Sequence, residues 1–133
     1  MRRTISGRVI AAALAAVLSA VTLASAQGPW TAPAFEKAKK SPLAPSAKAV
    51  ADGKKVAQVN CVSCHGASGK GDGAASAALN PKPADWTSKK VQEEADGELF
   101  WKISNGRGAM PPWKHLPEND RWAVIQFIRS LKK

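Results

Sequence analysis

Two cysteines, two methionines and two histidines are all the soft or imidazole ligands that the 133 residues hold, and ten acidic residues face twenty lysines and arginines. Two cysteines allow one disulfide at most. Beyond Cys61, Cys64 and His65 only His115 remains, so no second paired motif completes a zinc site. The main apolar stretch, Val9 to Leu23, is shorter than the roughly 20 residues a spanning helix needs, and Ser19 and Thr22 interrupt it. That argues against a membrane span. The glycine-rich run around Lys70 has Gly71 where a phosphate-binding loop requires Ser or Thr, and no strand precedes it. The shortage of acid gives a formal charge of +10, which favours acidic partner surfaces.

The N-terminus reads as an export signal over residues 1–26: Arg2, Arg3 and Arg8 precede the apolar stretch, and Ala24-Ser25-Ala26 supplies the small residues of a cleavage site. The rest of a twin-arginine motif is missing, so the general secretory route is expected. Removing 26 of 133 residues leaves 107, which keep 17 basic and 10 acidic residues, a charge of +7. One domain of that size lies at the small end for a hydrophobic core, and a covalent staple or a large buried cofactor would help it. Residues 27–46 are rich in Pro, Ala and Lys, with Pro29, Pro33, Pro42 and Pro45 breaking any long helix. They read either as an extended lead-in, whose Trp30 and Phe35 cover the domain or touch a partner, or as a mobile tail with a short helix around Ala34 to Lys40. The domain proper is expected over 47–133.

Cys61-Val62-Ser63-Cys64-His65 is a C-x-x-C-H pattern. Thiols three positions apart near a helix end can each add to one vinyl group of a porphyrin, and the next histidine is placed to bind iron. This predicts one covalent haem c with His65 as an axial ligand. A thioredoxin-like pair would need a preceding strand, whereas a helix is read here. A disulfide across this spacing would be strained and leaves His65 unexplained. For the sixth iron position, Met1 leaves with the signal, so Met110 is the sole remaining thioether and His115 the sole other histidine. Met110 sits between Gly106, Gly108 and Pro111, Pro112, a stiff loop suited to holding a soft ligand, and is the expected choice. Trp86 and Trp113 either donate indole N–H groups to haem propionates or fill the core.

Helical periodicity marks Ala47 to Asn60, with Ala49, Gly53, Val56, Ala57 and Asn60 on one face, whose small residues would permit close helix packing. A second helix is expected from Asp96 to just before Gly106, and a third from near Pro117, with Val124, Phe127, Ile128 and Leu131 as its apolar stripe. Leu79 to Trp86 is too proline-rich for regular structure. The fold class is all-α.

The helix carrying Gly53, the C-x-x-C-H pattern, the Met110-Pro111 loop and the amphipathic C-terminal helix together resemble the class I c-type cytochromes. The resemblance implies three to five helices around one covalent haem, with the N- and C-terminal helices crossing at Gly53. An aromatic residue usually follows four positions on, where this chain has Ala57, leaving Phe127 or Trp122 to fill the space. It also implies that a proline carbonyl, from Pro81 or Pro83, accepts the proton of the ligating histidine. Histidine and methionine together close the iron, so an electron carrier and not an enzyme is expected, periplasmic, running between a respiratory donor and a terminal oxidase or reductase. The alternatives are a dedicated cytochrome subunit of a periplasmic dehydrogenase and, if Met110 leaves the iron, a gas sensor or peroxidase. Lys70, Lys82, Lys89, Lys90, Lys102 and Lys114 are candidates for steering acidic redox partners. Nucleic acid is not expected as a partner, and attraction to a membrane surface through Lys37, Lys39 and Lys40 would be weak.

Overall fold

The structure, a computed structural model, describes residues 28–133; the signal expected at 1–26 lies outside the described residues. The chain runs α1 (Ala34–Lys37), α2 (Ala47–Asn60), α3 (Val62–His65), a 3-10 segment (Ala74–Ala78), α4 (Lys89–Gln92), α5 (Asp96–Asn105) and α6 (Glu118–Ser130). Among the described residues there is no strand, only an isolated bridge between Arg107 and Met110. The all-α reading holds, with α2, α5 and α6 as its long helices.

Helix α2 begins where Ser46 accepts the Ala49 N–H on its hydroxyl, an N-cap worth about 1 kcal/mol. Its small-residue face buries Ala49, Gly53 and Ala57 against α6. At the crossing a Cβ built on Gly53 would lie 1.8 Å from the Ala123 carbonyl oxygen, so the two backbones meet as only glycine permits. Helix α6 starts after Pro117, carries Glu118 and Asp120 in its first turn, and buries Val124, Phe127 and Ile128 as expected. In the core that also holds Ala57, Phe100 on α5 stacks on Trp122 of α6, with centroids 4.1 Å apart and planes at 12°. Arg121 lies over the same Phe100 ring and donates to the Leu116 carbonyl and the Ser104 hydroxyl.

Arg129 ties α4, α5 and α6 together. Its guanidinium donates to the Val91, Gln92 and Glu94 carbonyls just where α4 ends, and to the Asp96 carboxylate in the first turn of α5.

The Pro-rich extension is a strap seated on α5. Gly97 admits it: a Cβ there would lie 2.2 Å from the Glu36 carbonyl oxygen. Ala32 is buried, Lys37 pairs with Glu98 at 2.9 Å, and Lys102 reaches Glu94 at 2.7 Å and Glu98 at 3.4 Å beneath the Trp30 ring. Trp30 therefore covers the domain, whereas Phe35 stays 69% exposed. Lys102 is corrected from a steering lysine to a core one, because its ammonium is enclosed by two carboxylates and an indole. Burial pushes Glu98 up, but Lys37 and Lys102 outweigh it, and its pKa lies below the usual carboxylate value. Because the folded pKa is the lower one, the strap's stabilisation is fully present above the ordinary value of 4.5 and fades as pH falls through the folded value. Glu98→Gln is expected to cost about 1–3 kcal/mol at neutral pH. It should also flatten the acid limb of a stability-versus-pH profile measured by urea unfolding.

Candidate functional site

The C-x-x-C-H segment is built on a helix break. Asn60, the last residue of α2, turns its amide back to the Val56 carbonyl at 2.8 Å, and Cys61 leaves helical geometry. Helix α3 then restarts for a single turn, with the Cys64 and His65 N–H groups both donating to the Cys61 carbonyl, at 3.1 and 2.9 Å. Both thiols are free and half-buried on this turn. The chain returns beneath it through Gly71 and Gly73, whose N–H groups donate to the carbonyls of His65 and Cys64.

The electrostatics separate the candidate chemistries. Burial, then the neighbouring Cys64, pushes the Cys61 thiol up to about 11. A thiol pushed up by burial is the reverse of the lowered pKa that a dithiol redox pair uses, which weighs against that reading. Among the described residues no group of three or more His, Cys, Asp and Glu side chains could hold a metal ion, which removes zinc. Burial lowers the His65 pKa, opposed by its bond to the Ala84 carbonyl, which favours the neutral ring.

That bond, 3.1 Å from Nδ1, fixes the tautomer. A carbonyl only accepts, so Nδ1 carries the proton and Nε2 keeps the lone pair a metal needs. The carbonyl facing His65 belongs to Ala84, not to Pro81 or Pro83. Pro83 instead directs its carbonyl toward Gly71, where a Cβ would come within 2.3 Å. Trp86 is 6% exposed and stacks on the His65 ring at 4.5 Å and 22°. It belongs to the core, as one of its two readings had it.

Met110 follows the tight turn that ends α5. Gly106 has φ of +61°, and a Cβ on it would lie 2.4 Å from the Met110 carbonyl oxygen. Arg107 and Met110 exchange backbone hydrogen bonds at 2.8 and 3.0 Å, which pins the methionine by its main chain. The Trp113 N–H donates to the Ile103 carbonyl at 3.0 Å, returning the loop to α5. Cys61, Met110 and Trp113 are all half-buried against the same apolar cluster, which includes Trp86, Phe100 and Phe127. His115 is exposed, its ring 5.4 Å from that of Trp113. Two free thiols on one turn, a neutral imidazole with a free Nε2 and a thioether in a fixed loop form a donor set that fits haem c.

Two features escaped the sequence reading. The Ala84 carbonyl lies one residue past the proline considered for it; the clue is Asp85, whose carboxylate accepts from the Thr87 N–H and hydroxyl and turns the chain there. The stacking role of Trp86 carries no signal in spacing.

The family model described as cytochrome c oxidase, cbb3-type, subunit III matches residues 48–128. A cytochrome c6 of Cladophora glomerata is 34% identical over 90 residues, covering 62% of this chain and 88% of that protein. A chain from the Kuenenia stuttgartiensis reducing HAO-like protein complex aligns with a TM-score of 0.61 at 26% identity, over 70% of this chain. The match spans 48% of that chain, about half its length.

Proposed function

Because this chain belongs to the class I c-type cytochromes, electron-transfer proteins with covalently bound haem c, we propose that it is an exported one-electron carrier. In this reading Cys61 and Cys64 form the thioethers, His65 and Met110 are the axial ligands, and the domain of 47–133 acts on export of the chain and removal of residues 1–26. The observation that carries it is the His65 tautomer: the Ala84 carbonyl accepts a hydrogen bond from Nδ1–H, leaving the Nε2 lone pair for iron. The group itself supplies one-electron chemistry, cycling between ferrous and ferric iron. The chain keeps both ligands in place in either state: His65 by its bond to Ala84, Met110 by the backbone bridge to Arg107. A thioether ligand favours ferrous iron and raises the potential relative to two histidines.

Lys70, Lys82, Lys89, Lys90 and Lys114 remain exposed and support docking on acidic redox partners, such as a respiratory donor and a terminal oxidase or reductase. Lys37 and Lys39 are paired with Glu98 and Glu36, which weakens the case for a membrane surface. The likeness to a chain of a larger complex favours a second reading, a dedicated cytochrome subunit of a periplasmic redox enzyme. Co-purification from native extract discriminates the two. The carrier reading itself is tested by exposing the ferrous holoprotein to carbon monoxide. No spectral change is expected, and a carbonyl adduct would make the protein a ligand-binding sensor or a peroxidase instead.

A further inference from the structure

We propose that Trp86 is a positioning residue that sets the plane of the His65 imidazole and thereby the magnetic and redox properties of the iron. The inference rests on the reading of His65 as an iron ligand. Its ground is that one hydrogen bond does not orient a ring. The bond from Nδ1 to the Ala84 carbonyl holds one edge of the imidazole, and the ring, tethered at Cβ, can still tilt its face about the Cβ–Cγ bond within the tolerance of that hydrogen bond. The face of Trp86, 4.5 Å away and 22° from parallel, removes that freedom.

A residue can orient another only if it is itself held, and Trp86 is held from every side. Its N–H donates to the Gly69 carbonyl at 2.7 Å, and its carbonyl accepts from Gln92 Nε2 at 2.7 Å. The same Gln92 nitrogen donates to the Ile128 carbonyl at 2.8 Å, tying this segment to α6. The indole meets the Phe127 ring edge-on, with centroids 6.2 Å apart and planes at 88°. Behind it Gly69, at φ of +73°, leaves no room: a Cβ there would lie 2.8 Å from Trp86 Cε3 and 2.8 Å from Leu131 Cδ1. The Ala84 carbonyl and the Trp86 ring thus come from one three-residue segment, closed by the Asp85 turn onto Thr87. Both constraints on His65 move together or not at all.

The consequence is electronic as well as steric. The imidazole plane decides which iron d orbital the ring overlaps, and therefore the anisotropy of the low-spin ferric state. An apolar indole face beside the ligand also keeps water from it, which disfavours the more highly charged ferric state and raises the potential. A tryptophan that merely filled space would affect stability alone.

The test uses the holoprotein and three variants. Trp86→Leu keeps apolar bulk but has no ring face, Trp86→Phe keeps a smaller face, and Gly69→Ala displaces the indole without removing it. Ferric electron paramagnetic resonance, the midpoint potential and thermal unfolding are read on each. Trp86→Leu should change the rhombicity of the ferric signal and lower the potential, Trp86→Phe should restore most of both, and Gly69→Ala should shift the signal in the same direction as Trp86→Leu. If Trp86→Leu fails to fold, the other two carry the comparison. Lower unfolding temperatures with unchanged spectra and potential would overturn the proposal and leave Trp86 as packing. His65→Gly with added imidazole keeps this apart from the ligand reading. Recovery of the low-spin spectrum supports His65 as ligand whatever the Trp86 variants do. A wild-type spectrum without imidazole would overturn both.

Discussion

Met110→Ala should abolish the near-infrared methionine-to-iron band of the ferric protein, lower the midpoint potential and let carbon monoxide bind the ferrous form. Large effects on the iron with small effects on the fold are expected because of how the loop is held. Gly106 makes the turn, Arg107 and Met110 bond backbone to backbone, and Trp113 returns to the Ile103 carbonyl, so the loop's path is held mainly by its main chain. Truncation removes the thioether and leaves the path of the chain. The side chain is only half-buried, so the stability cost should lie near the low end of the range for buried methionine, about 2 kcal/mol. His115 is exposed beside Trp113 and not directed by any hydrogen bond into the core, so it is not expected to substitute. A variant whose spectrum matches the wild type and that binds no carbon monoxide would mean that another side chain holds the sixth position.

Gly53→Ala should have the opposite profile, a large loss of stability with little change at the iron. The added methyl would meet the Ala123 carbonyl oxygen at 1.8 Å, its carbon at 2.3 Å and the Val124 nitrogen at 2.9 Å, all backbone atoms that no rotamer change can move. The helices must separate. Overpacking of this kind costs about 3 kcal/mol or more. For a domain of this size that corresponds to roughly 12–24 °C in Tm. A thermal scan of the holoprotein checks it, with the low-temperature visible spectrum expected to be unchanged because Cys64, His65 and Met110, in the proposed reading, lie on α3 and the methionine loop, away from the crossing.

Legibility in the sequence followed the reach of the interaction. Helix α2 is found over Ala47–Asn60 as periodicity placed it, and α5 and α6 start and stop at Asp96, Gly106 and Pro117, because caps, prolines and glycines act within a turn. The C-x-x-C-H segment was equally plain, its chemistry lying in consecutive residues. Features that depend on contacts across the chain were not. Lys102 looked like any surface lysine until the strap brought Trp30 and Lys37 over α5 to enclose it with Glu94 and Glu98. Single-turn α4 was invisible without Arg129, 37 residues from Gln92, to bond its terminal carbonyls. The carbonyl on His65 was assigned to Pro81 or Pro83 by resemblance, and the turn at Asp85 moves that role to Ala84. Proline is not required there, only a carbonyl at the right place.

The central claim is that haem is bonded through Cys61 and Cys64, and peptide mapping tests it most directly. Trypsin should release Val56 to Lys70 as one peptide, since no Lys or Arg lies between them. Mass spectrometry of the denatured, digested holoprotein should find that peptide heavier by one haem, with neither cysteine open to alkylation. Haem that extracts into acidified organic solvent, leaving the peptide at its bare mass with both thiols alkylated, would contradict the account.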